Sequence, residues 1–448
     1  MGWAIDKELK MAKTISVSNT SNVTLVGGAG GDTLSAYTAS NVNIYGNQGA
    51  DSISLNNGVT GATAYGGTGA DTIYASTVNT VWINGNKGAD SIDLFSANNA
   101  TVYGGTGSDT LYIGYPGYPI NNALIYGNLG ADSVLVYSAN NTSVFGGSGN
   151  DTVYGEDLNN FVLSANQGSD SIDLDSANNA TVYGGTANDS MYIEYASNAI
   201  VNGNMGADSI DLYKPSNATV YGGRGADTIY TEYASNAAIS GDNASDSIYL
   251  YEDNNTTVSG GTGNDSIYAE YSDNNVINGN QGADSISLYD ITATAYGGRG
   301  NDSIYADYFD GFLHGNRGND TISATHATAT IHGGSGNDSL AVGTVTYSTL
   351  TGGSGNDTFS LGFNDGNVYN PVAEITDLTA HEDQLSFSHV TSAEGALATF
   401  STAGANLVIH LTTGATLTLD GLGGQGFGGA SGTKFVGMAA AGYNVSFA

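Results

Sequence analysis

The chain has 448 residues, 66 of them glycine, with four prolines and no cysteine, and a formal charge of −34 from 43 acidic against nine basic side chains. That balance excludes nucleic acid as a natural partner, because phosphate binding wants the opposite sign, and makes cations the natural counterparts. Hydrophobic content of 40% and aromatic content of 10% argue for a packed core rather than disorder; no disulfide can form, and no stretch approaches the roughly 20 apolar residues of a transmembrane helix.

Residues 1–21 read as an N-terminal arm. The segment lacks the apolar run of a secretory signal peptide and carries Lys7, Lys10 and Lys13, three of the nine basic residues. It is expected to form a short helix or a loose arm.

From residue 22 to 361 one pattern dominates. Asp32, Asp51, Asp71, Asp90, Asp109, Asp132, Asp151, Asp170, Asp189, Asp208, Asp227, Asp246, Asp265, Asp284, Asp302, Asp320, Asp338 and Asp357 each close a six-residue glycine-rich turn. Most follow one another at a spacing of nineteen. The step from Asp51 to Asp71 is one longer, that from Asp109 to Asp132 four longer, and the three from Asp284 to Asp338 one shorter. In Gly66-Gly67-Thr68-Gly69-Ala70-Asp71-Thr72-Ile73-Tyr74-Ala75 the glycines permit a tight turn with positive φ. The residues after Asp71 alternate as a strand does. The second residue after each aspartate is apolar throughout, from Leu34, Ile53 and Ile73 to Leu340 and Phe359, so that column belongs to the core. A second strand precedes each glycine turn, as in Ala100-Thr101-Val102-Tyr103, with Ala100 and Val102 inward. Asn-rich turns such as Ser96-Ala97-Asn98-Asn99 join the strands at their other ends. Each coil is strand, plain turn, strand, metal turn. No coil can bury its own apolar face, so the coils must stack.

A longer beat, two coils in length, overlies this one. Gly-Gly turns (Gly66-Gly67, Gly104-Gly105) alternate with Gly-Asn turns (Gly46-Asn47, Gly85-Asn86), and asparagine is the next-best residue for left-handed backbone. Tyr74, Tyr112, Tyr154, Tyr192, Tyr230, Tyr268 and Tyr305 follow the Gly-Gly turns. Tyr195, Tyr233, Tyr271 and Tyr308 follow acidic residues on the same beat. These rows fit either cross-strand stacking or a lateral contact surface.

Departures from the repeat are few. The excess between Asp109 and Asp132, with Pro116 and Pro119, should bulge out as a loop. Ala165 and Ala187 replace loop glycines, and Gly241-Asp242-Asn243-Ala244-Ser245-Asp246 has lost most of the pattern, so the sites beside Asp170, Asp189 and Asp246 are the least secure. Residues 362–448 leave the repeat. Ile375–Leu378, Asp383–Phe387, Leu407–Leu411 and Thr416–Asp420 read as strands with turns, a small β cap over the last coil.

A lone aspartate in a turn usually bonds local N–H groups. Eighteen in register set carboxylates on neighbouring coils ~5 Å apart, where like charges repel by about 0.8 kcal/mol per pair even in water. Cations between the coils would remove that cost, and carboxylates with glycine-turn carbonyls are hard oxygen ligands suited to Ca2+. One ion between each adjacent pair of loops makes up to about 17 sites, whose charge would match the −34 of the chain.

Gly146-Gly147-Ser148-Gly149-Asn150-Asp151-Thr152-Val153 follows the pattern Gly-Gly-x-Gly-x-Asp-x-apolar in full, as do the loops starting at Gly260, Gly297, Gly333 and Gly352. On these residues the chain resembles the repeats-in-toxin (RTX) family over about residues 22–361. The resemblance implies an all-β, right-handed parallel β-roll or β-solenoid, here of about 18 coils, with Ca2+ held between successive loops by the aspartates and loop carbonyls. The common family repeat is nine residues with metal turns on both sides; one metal turn per nineteen residues leaves one binding side. The resemblance also implies that residues 362–448 include a type I secretion signal and that the protein acts outside the cell.

No His-Glu-x-x-His or Gly-x-Ser-x-Gly motif occurs, and beyond the repeats there is no room for the catalytic domain that family enzymes carry; an enzyme is not expected. The expected function is a secreted, calcium-dependent structural protein that assembles with itself into a surface layer or filament. The alternative is an adhesin or biofilm-matrix protein with a cell-surface polysaccharide as partner. An ice-binding solenoid would need flat outward rows of Thr and Asx, which Lys87, Leu129, Gln167, Met205 and Arg224 interrupt.

Overall fold

A computed structural model describes residues 12–343, 347–362, 372–388, 399–403, 405–410, 416–422, 438 and 442–447. Lys7 and Lys10 of the arm, and Leu411 and Ala448 of the C-terminal segment, lie outside the described residues. The fold is all-β, a parallel β-solenoid of about 18 turns, and it divides into two compact units, residues 1–224 and 225–448.

In the first unit each strand pairs in parallel with its counterpart one coil on. Thr72–Ser76 pairs with Ser91–Leu94 so that Ile73 stands beside Ile92, and Val78–Lys87 pairs with Ala97–Thr106 so that Val81 stands beside Ala100. Alternation sends one face inward: Ile73, Ala75, Ile92, Leu94, Ala100 and Val102 are buried while Thr72 and Ser91 stay exposed. Parallel pairing begins inside the N-terminal segment, where Thr14–Ser18 lies on Thr33–Tyr37 with Thr14 opposite Thr33. Ile15 and Val17 alternate there as the repeat strands do, so the segment extends the sheet although it has no glycine turn of its own.

The four-residue excess is looped out. After Thr110–Ile113 a turn on Pro116-Gly117 closes with Tyr118 N–H donating to Tyr115 O at 2.8 Å, and Gly117 takes φ +80°. Pairing resumes with Ile120 beside Ala97 and Leu124 beside Thr101. A one-residue slip inside the strand would reverse every side chain, so the insertion is confined to the turn.

The plain turns carry asparagine ladders. The Asn141 amide donates to Asn122 Oδ1 at 3.4 Å, and Asn160 to Asn141 at 3.1 Å. Tyrosines stack across coils as well. Tyr112 lies on Tyr137 with ring centroids 5.3 Å apart, and in the second unit Tyr249, Tyr268, Tyr289 and Tyr305 form a chain of ring contacts. The stacking read from the two-coil beat is present, though Tyr137, Tyr249 and Tyr289, outside that beat, complete the contacts.

The second unit repeats the scheme. Ser285–Arg299 and Ser303–Arg317 run through their plain turns without a break, where successive aspartates stand 18 residues apart. Beyond residue 362 the parallel stacking continues. Gln384–Ser388 pairs with Thr358–Gly362, and Val372–Ile375 with Tyr347–Ser354. Thr416–Leu419 and Asn444–Phe447 add further parallel strands, and an antiparallel hairpin, Thr399–Ala403 with Asn406–His410, completes a small cap-like sheet.

Candidate metal ladder

Each glycine turn brings its aspartate to the same corner of the coil. From the Asp51 loop onward the turn holds left-handed backbone at its second and fourth positions. Asn86 takes φ +74° where Gly105 takes φ +120°, and Gly88 and Gly107 take +137° and +127°. Asparagine and glycine therefore make one turn. The degraded loops keep it too: Ala187 and Ala244 stand at φ +78° and +84°, and Asp242 at +74°, a strained region for a residue with a Cβ.

All eighteen aspartates are buried, none more than 3% exposed. In the first unit the Asp71 N–H donates to Asp90 Oδ1, Asp90 N–H to Asp109 Oδ1 and Asp109 N–H to Asp132 Oδ1, each at 2.8 Å. The series runs from Asp32 to Asp208. In the second unit it runs from Asp227 to Asp357, through the degraded loop, where Asp227 N–H reaches Asp246 Oδ1 at 2.8 Å. One oxygen of each carboxylate thus does what a turn aspartate usually does, but for the coil before its own.

The other oxygen has no such use. Oδ2 of Asp51, Asp71, Asp90, Asp109, Asp132, Asp151, Asp170 and Asp189, and of Asp246, Asp265, Asp284, Asp302, Asp320 and Asp338, is buried without a hydrogen-bond partner. Buried polar atoms are nearly always paired, and an unpaired acceptor costs about 1–3 kcal/mol. These oxygens converge with main-chain carbonyls. A Cβ built on Gly104 would stand 2.6 Å from Asp109 Oδ2 and 2.8 Å from the Gly127 carbonyl oxygen; one on Gly146 would stand 2.5 Å from Asp151 Oδ2 and 2.7 Å from Ala165 O. The bare Cα of the first glycine leaves a cradle between its own loop's carboxylate and the next loop's carbonyl, and Ala165 is the one first position with a methyl there. Among the described residues no three acidic, His or Cys side chains gather as a metal site. A cation on the ladder must therefore complete its shell with loop carbonyls. Carboxylate and carbonyl oxygens one coil apart fit Ca2+.

The electrostatics agree. Burial, followed by repulsion from the neighbouring rungs, pushes Asp109, Asp151 and Asp189 up to about 7 against the N–H bond that opposes it, and Asp71 to about 6. Asp246, Asp284 and Asp320 rise to about 7 in the second unit. A neutralising charge is what these groups lack.

Two further residues join the ladder that the repeat pattern does not name. Asp383, 4% exposed, accepts the Asp357 N–H on Oδ1 at 2.9 Å and the Thr379 N–H on Oδ2 at 2.7 Å, while its own N–H donates to Thr379 O. Beside it Asp377 accepts from the N–H groups of Gly352 and Gly353 at 2.9 and 2.8 Å. At the other end Lys13 stands opposite Asp32, since Thr14 pairs with Thr33. Asp383 lies 26 residues after Asp357 with no glycine turn before it. The signal that could have found it is the alternating Gln384-Leu385-Ser386-Phe387, which matches the residues after every other rung.

The family description of the RTX calcium-binding nonapeptide repeat matches residues 61–77, 96–112, 126–172, 216–233, 251–286, 294–340 and 347–367. Comparison of the chain with curated proteins finds no match. The matched segments contain twelve of the eighteen aspartates, from Asp71 to Asp357; Asp32, Asp51, Asp90, Asp189, Asp208 and Asp246 fall outside them and take part in the same series of bonds. The repeated loop, its left-handed glycines, the buried aspartate and the parallel coil all agree, and the chain is a member of the RTX calcium-binding repeat family.

Proposed function

We propose that the eighteen aspartates bind Ca2+ along one side of the solenoid, through their carboxylates, chiefly Oδ2, and the carbonyls of adjacent loops, and that the chain folds when it meets calcium outside the cell. The unpartnered buried Oδ2 atoms carry this reading. When bound, the ions supply the positive charge that cancels repulsion along the column. The chain's own residues do the rest: Oδ1 fixes each carboxylate against the preceding coil, the loop glycines keep the cradle open, and the apolar columns stack once the acidic side is neutral. RTX repeat proteins are typically secreted, and no helix among the described residues is long and apolar enough to cross a membrane. Low calcium would keep the chain open for a type I exporter, and the 10⁻⁴–10⁻³ M range typical of extracellular calcium modules would close it. Circular dichroism tests this directly: coil in chelator, β structure with millimolar calcium. A fully β spectrum in chelator at neutral pH would refute it.

The described residues form a repeat solenoid, a structural fold, and the activity that follows is mechanical. Copies of the solenoid pack as a surface layer or filament, using the tyrosine belts as lateral contacts. Sheets or filaments in electron micrographs with millimolar calcium would support assembly; a monomer at high concentration would not. The adhesin reading is favoured by one surface of the first unit. Tyr45, Tyr65, Trp82, Tyr103, Tyr126 and Phe145 form an unbroken row of ring contacts. Grooves of about 450 and 630 Å3 lie along it, lined by Asn47, Asn86, Asn128, Asn166 and Gln167. Aromatic floor and amide walls suit a neutral polysaccharide, and retention on such a matrix would separate the two readings.

A further inference from the structure

The aspartate position of the first coil holds a lysine. Lys13 stands opposite Asp32 in register, and it makes the main-chain bonds of a rung. Its N–H donates to Asp32 Oδ1 at 2.5 Å, and its carbonyl accepts from Thr33 N–H at 2.7 Å, as Asp32 O accepts from Ser52 N–H at 2.7 Å. The side chain differs in sign from every rung that follows. Its ammonium donates to the Gly27 carbonyl oxygen at 3.1 Å. Gly27 is the first glycine of the Asp32 loop. The same carbonyl in later loops, that of Gly127 for example, converges with the carboxylate of the coil before. Lys13 therefore presents a positive charge to the oxygen that, one coil further on, faces an aspartate. The aspartate that follows is also satisfied locally, with Asp32 Oδ2 accepting the Gly28 N–H.

We infer that Lys13 is a built-in cation: its ammonium fills the first metal position of the ladder, so that the coil carrying Asp32 closes at lower calcium than the interior coils and offers the next coil a formed edge. Among the described residues before Asp32, Lys13 is the one basic side chain. The six residues ending at Lys13, Glu8-Leu9-Lys10-Met11-Ala12-Lys13, contain neither glycine nor aspartate, so the turn one coil before Asp32 lacks the calcium-loop pattern. A mobile ion bound at the ladder's end would have one loop for ligands instead of two. A tethered ammonium needs only one carbonyl and is always present. Helix and solenoid growth alike are limited by the first unit, and a first coil that closes at low calcium lowers that barrier at the N-terminal end. The inference rests on the calcium reading of the interior rungs.

Hydrogen exchange read by mass spectrometry on the full chain tests it, with calcium raised from chelator and protection followed in residues 14–37 and, as the interior reference, 72–94. In the native chain residues 14–37 should gain protection at lower calcium than residues 72–94. Lys13→Met keeps the aliphatic stem and removes the charge; the loss of a charge-assisted hydrogen bond should raise the calcium midpoint of residues 14–37 about tenfold. Lys13→Arg should keep it near the native value. Equal midpoints for the two regions in the native chain, or no shift in Lys13→Met, would overturn the inference. An interior that ignores calcium altogether would instead overturn the calcium reading, so the two failures are distinguishable.

Discussion

Asp253 and Asp265 lie on opposite corners of the second unit's coils, equally buried and of opposite meaning. Asp265 Oδ1 accepts the Asp246 N–H at 2.9 Å and leaves Oδ2 without a partner. Asp253 Oδ1 accepts the Ala234 N–H at 2.6 Å, the same bond to the preceding coil, but its Oδ2 accepts the Thr231 hydroxyl. Around it Asp253 N–H donates to Ser272 Oγ and Thr256 N–H to Asn275 Oδ1. Burial alone does not mark a metal ligand. The distinction is the second oxygen: completed by a neighbouring hydroxyl on the plain turn, left open beside a carbonyl on the glycine turn.

The largest effect that would break this comparison is one of pH. Without calcium the ladder carboxylates are raised, Asp284 and Asp320 to about 7, and Asp253 to about 6. The folded chain then holds more protons than the unfolded chain between roughly pH 4 and 7. That stability is fully present below about pH 4 and is lost as pH rises through 7. In chelator the β signal should therefore grow as pH falls from 8 to 5, and the calcium midpoint should rise over the same range because protons and ions compete for Oδ2. Melting curves with and without calcium across that range check both slopes.

Point substitutions come next. Asp265→Ala leaves the Asp246 N–H buried and unpaired and should cost about 2–4 kcal/mol in saturating calcium. Asp265→Asn preserves an acceptor for that N–H and removes the charge. It should lower the melting temperature with calcium and raise it in chelator, a reversal that a purely structural aspartate would not produce. Asp253→Ala should cost about 1–3 kcal/mol by the same loss of a buried acceptor, equally in calcium and in chelator. A calcium-dependent difference at Asp253 would erase the distinction between the two corners.

The smallest effect concerns the degraded loops. Ala187→Gly and Ala244→Gly relieve left-handed backbone at φ +78° and +84° and should each stabilise by about 0.5–1 kcal/mol in thermal melts with calcium. No gain would mean that the loops have relaxed from the shared turn.

Most of the coil is legible in the sequence because each position repeats. The apolar residue two after the aspartate, the Gly and Asn alternatives and the looped-out Pro116 segment all follow from spacing and backbone preference. The ends are harder to read, because Lys13 and Asp383 occupy rungs without the glycine turn that announces one; only strand register places them. Asp253, Ser272 and Asn275 are missed for another reason. They sit in Asn-rich turns where polar residues are unremarkable, and their burial shows only when the coils are superposed, which aligns Asp253 with Ala234 and Ser272 with Ile291.

Within each unit a rung takes its acceptor from the coil that follows it, so the ladder has a polarity. Removing a coil from the C-terminal side takes the carboxylate acceptor from an N–H, whereas removing one from the N-terminal side, apart from the loss of Lys13, uncovers a buried carboxylate that regains its hydration. Truncation should thus be tolerated asymmetrically, and whatever terminates the downstream side must bring an oxygen with it, as Asp383 does.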